Sequence, residues 1–206
     1  MGRRSKQAEH SPEEIREMAL AAAKRIVAKQ GYGALSTRKV AADIGYAVGS
    51  LYLVFKNLDD LILHVNGSTL DDLHNALEAT AVRCRDPETC LLALAREYIQ
   101  FAFTNRALWS LVFEHPAPQR RPTWYQDKVA RMFEMVEGQL RGIAPERAPK
   151  DLKLAAHALW SGVHGVSVLG LADRLDESGR AAAEKLAASL VTNYLVGFKQ
   201  KTKNRG

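Results

Sequence analysis

The sequence predicts an all-α fold, and three observations carry that prediction. Apolar residues recur three and four apart along nearly the whole chain, no stretch alternates as a half-buried strand would, and the periodicity stops where Pro, Gly or a capping residue stands. About nine helices are expected, ten if Asn105 breaks the chain and does not merely kink it.

The first helix opens with a complete capping box: Ser11 as N-cap, Pro12 at the first helical position and Glu14 three residues after the cap. Ile15, Met18, Ala19, Ala22 and Ile26 mark its apolar face, and Gly31 closes it. A second, short helix starts at Ser36, carries Val40, Ala41 and Ile44 as one stripe, and stops at Gly45, which can take the left-handed conformation of a helix C-terminus. After a turn through Tyr46, Ala47 and Val48 the chain re-enters a helix at once. Leu51 and Phe55, four apart, face inward against Val40 and Ile44. That leaves Val48, Gly49, Ser50, Tyr52 and Val54 on or near the outer side. Residues 11 to 56 therefore read as a three-helix unit ending in a helix-turn-helix, whose second helix can lie in the roughly 12 Å major groove of B-DNA. Hydroxyl and basic residues stand where phosphates and base edges would be.

Asn57 caps a linking helix with Leu58, Leu61, Ile62 and Val65 on its apolar side, expected to end near Gly67. It reads as the only short route from the distal part of the chain to the DNA-reading unit. Helices follow at roughly 68 to 84, 88 to 104, 106 to 114, 123 to 141, 150 to 171 and 179 to 200, with breaks at Pro87, at Pro116, Pro118 and Pro122, and at Pro145 and Pro149.

The residues of the helix-turn-helix and the turn after it resemble the TetR family of bacterial transcriptional repressors. The resemblance is carried by Ser36, Thr37, Arg38, Val40, Ala41, Gly45, Gly49, Ser50, Leu51, Tyr52, Phe55, Asn57, Asp59, Asp60 and Leu61. It implies a homeodomain-like three-helix DNA-binding domain with its linking helix in residues 1–66, and a helical ligand-binding and dimerisation domain in residues 67–206. Three positions depart from the family pattern. Ala47 stands where a capping Ser is common, an expected cost of about 1 kcal/mol at that helix end. Val48 stands where a polar or basic residue is common, and Leu58 replaces a frequent Lys. On this reading Arg38 is the candidate base-edge contact. Ser36, Thr37, Tyr52 and Lys56 are candidate phosphate contacts, and Val48, Gly49 and Ser50 face the bases.

The 206-residue chain has 29 basic and 23 acidic residues, for a net charge of +6. Seven of the basic residues lie in the tails: Arg3, Arg4, Lys6, Lys199, Lys201, Lys203 and Arg205. Without them 22 basic residues face 23 acidic ones, so the positive charge marks the tails and not the body. A basic N-terminal arm beside a DNA-reading unit can add phosphate or minor-groove contacts, or can simply be solvated. No apolar run approaches the roughly 18 residues that span a bilayer, and the N-terminus lacks an apolar signal core, so a soluble cytoplasmic protein without membrane contact is expected. Cys84 and Cys90 read as free thiols.

The segment Trp160-Ser161-Gly162-Val163-His164-Gly165 places two glycines mid-helix, each costing about 1 kcal/mol against Ala. With Ala155 and Ala158 they form a smooth strip that admits a close helix, and Ala181, Ala182, Ala183, Ala187 and Ala188 repeat the idea. The segment resembles a TetR subfamily with a Trp-x-x-x-His-Gly signature, which implies a homodimer through the last two helices. The candidate interface is Ala158, Gly162, Gly165, Ala183 and Ala187. Aromatic residues spread over the downstream helices suggest a pocket for a lipophilic or aromatic effector, with Tyr98, Phe101, Trp109, Phe113, Trp124, Phe133, Trp160 and His164 as candidate lining.

An enzyme is not expected. Ser161, His164 and Asp173 form the one suggestive set, and neither a nucleophile elbow, a phosphate-binding glycine loop nor an HExxH motif supports it. His157 and His164 share a helix face, but a third metal ligand is not identifiable, and no cofactor is expected. The expected function is a ligand-responsive transcriptional repressor binding double-stranded DNA at a pseudopalindromic operator. The alternative is a helical ligand-binding or scaffolding protein with a vestigial DNA-reading unit.

Overall fold

The computed structural model describes residues 10–114, 121–175 and 179–203. Among them nine α-helices occur and no strand: α1 Pro12–Gln30, α2 Thr37–Ile44, α3 Val48–Tyr52, α4 Leu58–Ala81, α5 Pro87–Thr104, α6 Arg106–Glu114, α7 Thr123–Ile143, α8 Pro149–Leu171 and α9 Arg180–Lys203, with a 3-10 turn at Tyr32–Ala34. Arg3, Arg4, Lys6 and Arg205 of the basic tails, and the expected breaks at Pro116 and Pro118, lie outside the described residues.

The predicted caps form as hydrogen bonds. The Glu14 backbone N–H donates to the Ser11 hydroxyl and the Ser11 N–H to the Glu14 carboxylate, completing the box on α1. Ser36 accepts from the Lys39 N–H at the start of α2, and Asn57 from the Asp60 N–H at the start of α4. Asn105, with φ −111° and ψ 33°, separates α5 from α6.

The linking helix does not stop at Gly67. It runs unbroken as the 24-residue α4, so the expected helices at 58–66 and 68–84 are one element. Gly67 marks a close approach instead of a terminus: an added Cβ would lie 2.6 Å from Cζ3 of Trp124 on α7. Asp71, one turn further along α4, accepts from Lys128 Nζ at 2.5 Å and Arg131 Nη2 at 3.1 Å, which fixes the same face of α7.

One core packs Val27, Val40, Leu51, Phe55, Leu61 and Val65 under the helix-turn-helix. A second joins α4, α5, α7, α8 and α9 around Ile99, Leu140, Leu152 and Val191. Helix α6 serves both. Its Leu108 and Leu111 enter the first core, while Trp109 enters the second. The Asn66 side chain on α4 donates to the Leu111 carbonyl at 3.2 Å. Helix α4 is therefore not the only short route between the two ends, since α6 provides another. The sequence did not reveal this because α6 is apolar on both faces, which periodicity cannot apportion between two cores.

Cys84 and Cys90 are not free thiols. The tight turn between α4 and α5 brings their Cα atoms to 5.3 Å and the two sulfurs form a disulfide. Helix α8 also corrects the expectation about apolar runs: no Asp, Glu, Lys or Arg occurs from Leu154 to Leu171, and by length and composition alone the helix could cross a membrane.

Candidate nucleic-acid interface and ligand cavity

Gly45 at φ 76° and ψ 25° ends α2 in the left-handed region and turns the chain into α3. Helix α3 is short. Ala47 gives it no side-chain cap, and its last helical residue is Tyr52. Leu51 and Phe55 are buried with Val40 as expected, but Val54 is also buried and leaves the outer face. Arg38, Gly49, Tyr52 and Lys56 are exposed, while Ser36, Thr37, Val48 and Ser50 are half-buried. Val48 packs on the edge of the core. Among the described residues no ion pair holds Arg38, so its guanidinium is available to a partner. The Lys56 N–H donates to the Asp60 carboxylate at 3.0 Å, which together with the Asn57 cap fixes the loop from α3 to α4. Leu53, 80% exposed beside Tyr52, was not anticipated. Its signal was the inward-facing pair on either side, Leu51 and Phe55, which turns the residue between them outward.

Arg16 of α1 secures the far end of α3. Its Nη2 donates to the Val54 carbonyl at 2.5 Å, its Nη1 lies 3.2 Å from His64 Nε2, and the guanidinium sits 4.8 Å over the Phe55 ring. His64 then stacks on Trp124 of α7, with centroids 4.8 Å apart. Burial holds the His64 pKa below its usual value, helped by Arg16 and Lys128 and opposed by Asp60. A neutral ring also fits the geometry, because Nε2 must accept from Arg16.

A cavity of about 220 Å³ lies between α4, α5, α6, α7 and α8, with Val191 of α9 completing its wall. Leu73, Leu94, Met132 and Val163 typify its lining, and among the described residues Arg121 is the one charged side chain there. Of the candidate pocket residues, Tyr98, Phe113, Phe133 and Trp160 line it. Phe101, Trp109, Trp124 and His164 do not: Phe101 and Trp109 are buried in the second core, and Trp124 packs on Gly67 and His64. His164 stands behind the wall, sharing a 2.8 Å hydrogen bond with the Tyr98 hydroxyl and lying 4.9 Å from the Trp160 ring centre. Burial raises the Tyr98 pKa, with the Trp160 and Trp109 indoles opposing, so the hydroxyl stays protonated at neutral pH.

The small-residue strip divides. Ala183 and Ala187 are buried in this chain's own core, and a Cβ on Gly162 would meet Leu190 of α9 at 2.8 Å, so these three serve packing within the chain. Ala158 is exposed and Gly165 half-buried with nothing within 4 Å of an added Cβ. Leu154 and Leu169 on α8 and Leu186 and Val196 on α9 are also exposed. Ser161 and Asp173 are exposed, His157 stacks on Phe133 at 3.9 Å, and among the described residues no three His, Cys, Asp or Glu side chains gather as metal ligands would.

A helix-turn-helix on a three-helix core, joined without a break to a helical domain with an apolar cavity, defines a DNA-binding regulator of the helical sensor type. The model of the tetR family of bacterial regulatory proteins matches residues 19–65, and the tetracyclin repressor-like C-terminal domain model matches residues 91–194. The chain belongs to the TetR family, whose fold is that of transcriptional regulators and not of enzymes. Among curated proteins none matches its sequence significantly. Solved structures share the fold at low identity. A protein of unknown function from Rhodococcus sp. RHA1 is 21% identical with a TM-score of 0.76, over 94% of this chain and 98% of that one. The TetR family transcriptional regulator PfmR from Thermus thermophilus is 20% identical with a TM-score of 0.60, over 86% and 96%. The transcriptional regulator FadR from Bacillus subtilis, solved in complex with stearoyl-CoA, is 17% identical with a TM-score of 0.66, over 85% and 96%.

Proposed function

We propose that this protein is a cytoplasmic, ligand-responsive repressor that binds a pseudopalindromic operator as a homodimer and releases it when an effector fills the cavity between α4 and α8. The observation that carries this reading is the shared use of α4 and α6. Both helices place residues in the core under the helix-turn-helix, and both contribute to the cavity wall, through Leu70 and Leu73 on α4 and Val112 and Phe113 on α6. An occupant that moves either helix must move the platform of α3. Residues 1–66 are taken as the DNA-reading unit and its linker, and residues 67–206 as the sensing and dimerising unit.

Arg38 reads a base edge, with Ser36, Thr37, Tyr52 and Lys56 on phosphates and Val48, Gly49 and Ser50 facing the bases. The C-terminal domain is of the Trp-x-x-x-His-Gly type, with Trp160, His164 and Gly165. There the His carries the hydrogen bond to Tyr98 and so orders one wall of the cavity. Dimerisation is supported by α8. Only 39% of its 18-residue apolar stretch is buried within the chain; Leu154, Ala158 and Leu169 are exposed, Gly165 is half-buried, and Leu186 of α9 is exposed too. A second copy of the same face would cover them. A lipophilic effector suits the cavity wall, and the acyl-CoA bound by the Bacillus subtilis neighbour is in keeping with that class.

The test is a gel-shift titration with DNA from upstream of the gene, alongside light scattering. The expected result is a dimer that shifts one specific fragment. A stable monomer at micromolar concentration, or equal binding to all fragments, would refute the reading and favour the alternative of a vestigial DNA-reading unit.

A further inference from the structure

On the reading of the cavity as the effector site, its wall also selects the chemistry of the occupant. Among the described residues the lining is aliphatic and aromatic on every helix that contributes to it, with one exception: Arg121, in the residues leading into α7. Arg121 both lines the cavity and is exposed, so it stands where the cavity meets solvent. Its guanidinium lies 5.4 Å over the ring of Tyr125, itself a buried lining residue, and Gln126 holds its backbone carbonyl at 2.7 Å. Among the described residues no carboxylate pairs with it. A guanidinium fixed on an aromatic face at the rim of an apolar chamber is a ready partner for a planar anion, which it can bind bidentately. Size narrows the choice. The 220 Å³ chamber exceeds the ~150 Å³ cavity that holds benzene but falls below the ~300 to 1,000 Å³ of pockets for drug-sized ligands.

We infer that the effector is a lipophilic carboxylic acid of medium length, its apolar body in the cavity and its carboxylate on Arg121. A neutral molecule of the same shape gains nothing from Arg121, and a cation is repelled by it.

The experiment uses the full chain with three probes of one length, decanoate, 1-decanol and decylammonium, followed by calorimetry and Trp emission. Wild type is expected to bind decanoate at least about tenfold more tightly than either other probe, as loss of a charge-assisted hydrogen bond implies. Arg121→Gln, at an exposed position, should bring decanoate down to the level of decanol, and Arg121→Lys should restore part of the difference. Equal binding of decanoate and decanol in wild type, both abolished by the cavity-filling Val163→Trp, would overturn the acid while leaving the cavity as the ligand site. Binding of none of the three, with no change in emission, would overturn the inference and count against the site as well.

Discussion

The imidazole of His64 on α4 lies flat against the indole of Trp124 on α7, with centroids 4.8 Å apart and planes 10° from parallel. Trp124 adjoins the cavity-lining Tyr125, and the Nε2 atom of His64 meets the Arg16 guanidinium that holds the end of α3. The stack therefore joins the cavity wall to the end of α3 in three side chains. Trp124→Leu keeps an apolar group at the position but removes the flat contact. It is expected to lower the coupling between effector and operator by about 0.5 to 2 kcal/mol while changing each separate affinity less. Effector affinity measured with and without operator on the variant checks this.

Arg38 is exposed, no ion pair holds it among the described residues, and a planar guanidinium can pair with guanine O6 and N7. Arg38→Ala should weaken operator binding by about 1 to 3 kcal/mol and relax preference at one base position. Tyr52→Phe should weaken specific and random DNA alike. Equal loss on both DNAs for Arg38→Ala would make it a phosphate contact.

Two helical glycines should respond oppositely to alanine. Gly67→Ala sets a Cβ 2.6 Å from Trp124 and should destabilise the protein by about 1 to 3 kcal/mol despite the better helix propensity. Gly138→Ala, on an exposed turn of α7 with open space around its Cα, should stabilise it by about 0.5 to 1 kcal/mol. Urea unfolding of both variants decides.

His64 titrates below its usual pKa in the folded protein because burial and Arg16 disfavour its cation. The unfolded chain therefore binds the proton first. As pH falls through about 6.5 the unfolded state is favoured, and the loss of stability ends once pH passes the lower folded value. Wild type should be less stable at pH 5.5 than at pH 7.5, and His64→Gln should reduce that slope. Thermal melts of both proteins over this range test it. An unchanged slope would assign it to other groups.

Most of the fold was legible because its punctuation is local. Ser11, Ser36 and Asn57 cap helices by hydrogen bonds three residues long, and Gly45 ends α2 by its own backbone freedom. The errors share a cause of the opposite kind. Gly67 looked like a stop because its real partner, Trp124, is 57 residues away, and the small residues at 183 and 187 read as dimer contacts because periodicity alone does not say whether a smooth strip meets this chain's own helices or a second copy. The same limit applied to the cavity. Composition pointed to aromatic residues, but which of them face an opening depends on how five helices meet. Arg121 carried no pattern at all, and Cys84 in the turn meets Cys90 in the first turns of α5 only because α4 packs on α5.

On the proposed function, cavity and DNA-reading unit share one equilibrium through α4, α6 and the His64–Trp124 stack. Coupling of that kind is reciprocal: an effector that weakens operator binding must itself bind more weakly when operator is present, by the same factor. The direct measurement is calorimetric titration of an effector into the protein alone and into the protein saturated with operator. Operator is expected to lower effector affinity by about 5- to 150-fold, matched by the same loss of operator affinity when effector is saturating. Equal effector affinity with and without operator would contradict it.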